Sequence, residues 1–402
     1  MKHIIILGDG MADEPIPMLG GKTPLQAAKT PYMDKLAAMG RNGLLDTIPE
    51  GFKPGSEIAN LSVLGYDLNQ VFEGRGSLEA ASMGVGIEPS EMAMRCNLIT
   101  IADDKIKNHS AGHITTEEAK ELMEFLQEKL GDDIVSFYPG VSYRHLIKVR
   151  GGDKALQCTP PHDVPGTPFR EVLVQAETPE AQPTADALNE LILKSQALLA
   201  SHPVNRKRVA EGKDPANSIW VWSPGYKPDM QTFQELYGKS GSVISAVDLI
   251  KGIGVYAGLK PIEVEGATGL FDTNYEGKTQ AALEALKTDD FVYLHIEAPD
   301  EAGHEGDVQL KIRTIEDLDS RVVGPIMEAV KSWGEPVAIA VLPDHPTPCA
   351  LKTHTKSPIP FIIYKPGNTP DAVTRYDEES ARNGSYGVLK GNQFIHAFFK
   401  EE

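Results

Sequence analysis

Cysteine is scarce. Cys96, Cys158 and Cys349 are the only three in 402 residues, and no two stand in C-x-x-C spacing. An odd number so dispersed offers neither a disulfide framework nor a thiolate zinc knuckle, and suits a reducing compartment. Long apolar runs are missing as well. The chain opens MKHIIILGDGM, where the run at 4–7 is too short for the h-region of a signal peptide. Nothing approaches the roughly 20 apolar residues of a membrane-spanning helix, so a cytoplasmic location is expected. Positive charge is in deficit: 39 Lys and Arg against 57 Asp and Glu leave a net charge of −18. That argues against nucleic acid or an anionic membrane as the main partner, because both are gripped through basic patches. A small anionic substrate needs only a local basic site or bound cations and stays open. The 29 prolines and 37 glycines are scattered, which leaves no collagen-like or long disordered tract.

What is present is globular. An apolar content of 41% over this length supports one large domain or two ordinary ones. Residues 3–7 (HIIIL) form a β-branched run stopped by Gly8-Asp9-Gly10, the pattern of a buried strand entering a loop. The pattern predicts helices over 31–39, 115–130 and 178–200, a turn at 74–76, and strands over 95–101 and 145–149. Beyond 213 the segments alternate: strand 218–223 ended by Pro224-Gly225, helix 242–257, strand 291–297, a long helix over 308–331, and strands 337–342 and 360–364. Alternation of this kind predicts an α/β fold, a mostly parallel sheet with helices on both faces. The first strand is expected to join the C-terminal ones. Residues 1–85 and 213–402 would form the catalytic core, and the different texture of 86–212 would be a smaller inserted α+β cap domain.

Acids and histidines sit where such sheets bind ligands, beyond the carboxyl ends of strands. Asp9 follows the first strand. Asp300 and His304 follow FVYLHIE in the stretch APDEAGHEGD (298–307), expected to be a loop. Asp344 and His345 follow VAIAVL, and His354 precedes PFIIY. Each alone is an ordinary turn or capping residue. Together they form a crowd of like charges that a divalent cation would neutralise. Three Asp and three His suffice for two metal ions at the separation of about 3.5–4 Å suited to phosphoryl transfer. Oxygen and imidazole donors without thiolate fit manganese, zinc or magnesium, with histidine favouring the first two. A nucleophile is available in PGSEIANLSVLGYD (54–67), where Ser56 follows a Pro-Gly turn at the start of a predicted helix. Free N–H groups there would hold a phosphoryl group. As a lone feature Ser56 would be a helix N-cap.

Taken in order, GDGMAD (8–13), GSEIANLSVLGYD (55–67), GRGSLEAASMGV (74–85), GVSYRHL (140–146), PPHD (160–163), IKGIGVYAGL (250–259), EGATG (265–269), EAPDEAGHEGD (297–307) and LPDHPTP (342–348) resemble the blocks of the archaeal-type, cofactor-independent phosphoglycerate mutases of the alkaline phosphatase superfamily. The likeness runs nearly end to end. It implies an alkaline phosphatase-like core and two metal sites, one of Asp300, His304 and His354, the other of Asp9, Ser56, Asp344 and His345. Ser56 would be the phosphorylated nucleophile. A small phosphorylated substrate would be held by Arg144, His162, Asp163 and Arg208, with Asn205 also facing it.

The resemblance leaves alternatives. Where the family carries a block like DRSAGR, this chain has NHSAGH (108–113), and VWSPG (221–225) replaces an arginine-bearing strand end. Those departures and the IWVW strand suit a subgroup similar to homoserine kinases, which would pass a nucleotide phosphate to homoserine. It would not be a P-loop enzyme, since neither GKT has the leading glycine of that motif. A phosphohydrolase and a non-catalytic metal-binding protein are the remaining readings.

Overall fold

The computed structural model describes residues 1–401, which divide into two compact units. One comprises Met1–Phe72 and Asp229–Glu402, the other Glu73–Pro228.

The first unit is built on an eight-stranded sheet. Its order is Lys260–Pro261, Gly241–Ile244, Phe291–Ile296, Lys2–Gly8, Val337–Leu342, Ile359–Tyr364, Arg41–Asp46, Val388–Lys390. Lys2–Gly8 lies parallel between Phe291–Ile296 and Val337–Leu342. Ile359–Tyr364 runs antiparallel to both of its neighbours. The strands are short and nearly wholly apolar because both faces are covered. On one face Ile4, Ile6, Val292, Leu294, Ile339 and Val341 pack with Leu36, Ala282, Leu286, Ile315 and Leu318, contributed by helices Pro31–Met39, Tyr275–Thr288 and Val308–Leu318. On the other, Phe291 stacks on Phe233 and meets Phe399 edge-on.

This order brings the site together. The carboxyl ends of three adjacent parallel strands carry Asp9, the 297–304 segment, and Asp344 with His345. The antiparallel strand enters from the same edge, so the residues before it, His354 among them, also lie there. Gly10 makes the first loop possible. Its φ is +63°, and a Cβ would come within 2.5 Å of Thr347 Oγ1 and 2.6 Å of Asp300 Oδ1.

Several local expectations are corrected. Residues 298–307 are mostly helix, Ala298–Glu305, not loop. Pro299 at its first turn needs no N–H partner there, and Gly306 in the left-handed region ends it. The helix expected over 242–257 divides into strand Gly241–Ile244 and helix Asp248–Tyr256. The long helix over 308–331 is interrupted by a π turn at Asp319–Val323. Pro325 has no N–H for the carbonyl of Arg321, which accepts from Thr279 Oγ1 instead, at 3.1 Å.

In the second unit Glu91–Ala102 is the central antiparallel strand. It pairs with Lys105–Asn108, Arg144–Arg150 and Ser218–Tyr226, and Val135–Tyr138 pairs with Arg144–Arg150. Helices Thr116–Leu130 and Gln182–Leu199 bury Leu122, Met123, Leu126, Leu188 and Ile192 against Met92, Met94, Cys96 and Leu98. The strand expected over 218–223 therefore belongs to this antiparallel sheet and not to the parallel one. It also continues through Pro224-Gly225, because Gly225 still pairs with Ala93. Arg75–Ser82 is a helix, not a turn, and packs on three of these strands. For both reasons the unit extends beyond 86–212 at each end.

Candidate metal centre

All seven residues implied as metal ligands lie in the first unit, where Asp300, His304 and His354 come together and Asp9, Ser56 and Asp344 gather around His345. Helix Ala298–Glu305 places Asp300 and His304 one turn apart on one face. His304 Nε2 is 3.2 Å from Asp300 Oδ2, His354 Nε2 is 3.3 Å from Asp300 Oδ1, and the two Nε2 atoms are 2.9 Å apart. His304 Nδ1 faces the carbonyl of Lys352 at 3.1 Å. A carbonyl only accepts, so Nδ1 carries a hydrogen, and Nε2 is the atom that would exchange its proton for a cation.

The second group surrounds His345 Nε2. Ser56 Oγ lies 3.2 Å from it, Asp344 Oδ2 3.3 Å and Asp9 Oδ1 3.4 Å. His345 Nδ1 faces the Pro346 carbonyl at 3.2 Å, which again leaves Nε2 bare. Ser56 is the first residue of helix Ser56–Val63. Gly55 occupies the cap position, so the Ser56 hydroxyl caps nothing. Asn60, one turn on, donates to Asp344 Oδ2 at 2.9 Å and to the Ser56 carbonyl at 2.8 Å. Tyr293 orients that amide by donating to its Oδ1 at 2.5 Å. Helix Ser56–Val63 is thereby tied to the Asp344 loop.

The electrostatics fit divalent cations. Burial, then Asp344, Asp300 and Glu297, push the Asp9 carboxyl well above the usual carboxylate range. Burial, then Glu301 and Asp300, push Glu297 up to about 8. Burial resists ionisation of Asp300 too, but hydrogen bonds from His304 and His354 hold it well below its ordinary value. Asp9 Oδ1 is buried without any hydrogen-bond partner. An orphaned carboxylate oxygen beside the His345 imidazole and a crowd of acids is what a bound cation would complete. The candidate donors fall into two neighbourhoods, Asp300/His304/His354 and Asp9/Ser56/Asp344/His345, and the orphaned oxygen belongs to the second.

Several supporting residues escaped the sequence reading. His295, inside the apolar FVYLHI strand, binds Asp9 at 2.8 Å. Thr347 Oγ1 donates to Asp300 Oδ1 at 2.5 Å. Lys311, fully buried, reaches the carbonyls of Ala12 and Thr347 and Asp13 Oδ2, all within 3.0 Å. A lysine in an amphipathic helix gives no such signal. Lys278 is also fully buried, its Nζ has no hydrogen-bond partner, and burial pushes its ammonium down to about 8.

In the second unit the expected substrate residues divide. Arg144 is exposed and lies over Tyr143, 4.8 Å from the ring centroid. His162 and Asp163 are exposed neighbours 3.5 Å apart, and His162 meets Trp222 edge-on and approaches His109. Arg208 departs from the expectation. It is buried, with Nε on the Asp214 carbonyl, one terminal nitrogen on Glu118 and the other on the Ala111 carbonyl, all at 2.8 Å. Its guanidinium is consumed in holding the NHSAGH loop. Asn205 is likewise buried, bonded to the carbonyls of Leu199 and Ala216 and to the Ala216 N–H. Both are structural.

Comparison with known proteins points one way. Residues 37–205 match the family model described as 2,3-bisphosphoglycerate-independent phosphoglycerate mutase. The chain is 55% identical over 403 residues to a Methanosarcina acetivorans protein of that name, covering 100% of both. A solved Pyrococcus horikoshii structure superposes with TM-score 0.83 at 30% identity, covering 100% of this chain and 98% of that one. The cofactor-independent phosphoglycerate mutase of Thermoplasma acidophilum superposes with TM-score 0.69 at 29% identity, covering 99% of each. These relatives give the homoserine kinase alternative no support. No helix among the described residues is long and apolar enough to cross a membrane.

Proposed function

The chain belongs to the 2,3-bisphosphoglycerate-independent phosphoglycerate mutase family, and from that premise we propose how its residues carry the reaction. It interconverts 3-phosphoglycerate and 2-phosphoglycerate without a bisphosphoglycerate cofactor. Ser56 is the nucleophile. Its Oγ attacks phosphorus, the bond from phosphorus to the substrate oxygen breaks, and glycerate leaves the phosphoryl group with the seryl proton on its freed oxygen. The neighbouring glycerate hydroxyl then attacks the phosphoserine, restoring Ser56 and giving the isomer. No phosphate or water is gained or lost.

The observation that carries this reading is the position of Ser56 Oγ, uncommitted as a cap and 3.2 Å from His345 Nε2 among Asp9 and Asp344. Asp300, His304 and His354 would hold one divalent ion, and Asp9, Ser56, Asp344 and His345 a second, with manganese or zinc favoured by the donor set. When bound, such ions supply positive charge for the phosphoryl oxygens and lower the pKa of the seryl hydroxyl. Asp344 is held by Asn60, by the His345 N–H and by the Gly10 N–H, so its carboxylate needs no reorganisation. In the inserted unit, Arg144 and His162 are the ligands proposed for the substrate's anionic ends, with Asp163 beside His162. Arginine suits both carboxylate and phosphate through its planar fork.

The test is enolase-coupled turnover of 3-phosphoglycerate by manganese-loaded protein, without ATP or bisphosphoglycerate. Turnover of order 1 s⁻¹ or above is expected, in the range of ordinary enzymes. No turnover at confirmed metal content would overturn the reading.

A further inference from the structure

Asp9 shows its two carboxylate oxygens to different surroundings. Oδ2 lies 2.8 Å from His295 Nε2. Oδ1 is buried with no hydrogen-bond partner, and His345 Nε2 stands 3.4 Å away. The strands dictate this. His295 is paired in register with Leu7, two residues before Asp9, in the neighbouring parallel strand. The next strand outward, Gly241–Ile244, ends just before Ser245. Ser245 Oγ accepts from Val247 N at 2.9 Å and lies 3.0 Å from His295 Nδ1. All three side chains are buried.

The hydrogens follow from the donor inventory. A carboxylate that holds a cation is ionised and only accepts, so the ring nitrogen facing it carries hydrogen. Ser245 has used a lone pair on Val247 N–H and still has its own proton to offer Nδ1. Asp9, His295 and Asp344 also lie close enough to share one ion. As a ligand, His295 would instead carry its hydrogen on Nδ1 and direct it to Ser245 Oγ, and the variants below separate the two arrangements.

We propose that His295 is a positioning residue for the metal centre: its Nε2–H occupies Asp9 Oδ2, leaving Oδ1 to face the cation, and Ser245 fixes the ring that does so. This rests on the metal reading above. Hydrogen-bond partners of ligands commonly change metal affinity about 10–100-fold when removed.

The experiment is calorimetric titration of EDTA-stripped protein with Mn²⁺, for the parent, His295→Leu, His295→Gln and Ser245→Ala, with thermal denaturation of each stripped protein. The glutamine amide can donate from near the position of Nε2; leucine cannot. In the parent, two ions bind. His295→Leu is expected to weaken one of them about 10–100-fold and to leave the other nearly unchanged. His295→Gln should restore most of the loss, and Ser245→Ala should weaken the same ion by a smaller factor. Parent-like binding of both ions in folded His295→Leu would overturn the proposal. So would a loss in folded His295→Gln as large as in His295→Leu, which would make His295 a ligand. If His295→Leu does not fold, unchanged binding of both ions by Ser245→Ala would overturn it. A parent that binds no Mn²⁺ would defeat the metal reading itself, and this proposal with it.

Discussion

The Nε2 atoms of His304 and His354 face each other at 2.9 Å, each also within ion-pair reach of Asp300. Without a cation a proton must hold this pair together. The hydrogen bond to Asp300 pushes His304 up to about 9, against the opposing effect of burial. Loading a cation at neutral pH therefore displaces a proton. Stripping the metal should abolish turnover and Mn²⁺ should restore it. Apparent affinity at this site should strengthen about tenfold per unit from pH 7 toward 9 if this one proton is displaced. The sign follows from the folded-state value lying above the ordinary histidine value. Calorimetry in two buffers of different ionisation heat measures the released proton. Affinity flat between pH 7 and 9 would contradict the displacement.

Ser56→Ala separates chemistry from folding. Ser56 caps nothing, and its hydroxyl lies 3.2 Å from His345 Nε2. Turnover should fall at least about 10³-fold, the scale seen when a covalent nucleophile is removed. The metal-free melting temperature should stay close to the parent's. Full turnover with metals retained would exclude the phosphoserine route.

Lys311 joins the loops after two strands by one ammonium, bonded to the Ala12 and Thr347 carbonyls and to Asp13. Lys311→Met would leave Asp13 buried beside nothing positive. A loss of about 3–5 kcal/mol is expected, because the unpaired charge costs more than the pair contributed. Denaturant unfolding of stripped protein measures it. A change under 1 kcal/mol, on the scale of an exposed ion pair, would show that another group neutralises Asp13.

Arg144 and Arg208 of the inserted unit should respond differently. Arg144→Ala removes an exposed side chain, so KM for 3-phosphoglycerate should rise about tenfold or more with thermal stability unchanged, as for loss of a charge-assisted hydrogen bond. Arg208→Ala strands the Ala111 and Asp214 carbonyls and Glu118. It should cost about 2–4 kcal/mol of stability, the range for breaking a buried bonded charge. Steady-state kinetics with thermal melts on both variants decides. The reverse pattern would return Arg208 to the substrate.

Asp9, Asp300, His304, Asp344 and His345 were legible because each lies just past a strong apolar strand, and strand ends are where such sheets present chemistry. The spacing of Asp300 and His304 was also visible, although its meaning came from the helix: four residues apart is one face of a helix and nothing definite in a loop. His295, Lys311 and Arg208 were not legible. Each sits in a pattern that local rules assign elsewhere: a histidine in a core strand, a lysine on an amphipathic helix, an arginine in a basic run. Lys311 and Asp13 are 298 residues apart, and His295 and Asp9 are 286 apart. Which strands lie side by side sets those meetings. Backbone propensity and hydrophobic period act over a few residues and carry no record of strand order. The residue types for the chemistry were therefore written in neighbouring positions, while their partners, protonation and burial came from the assembled sheet.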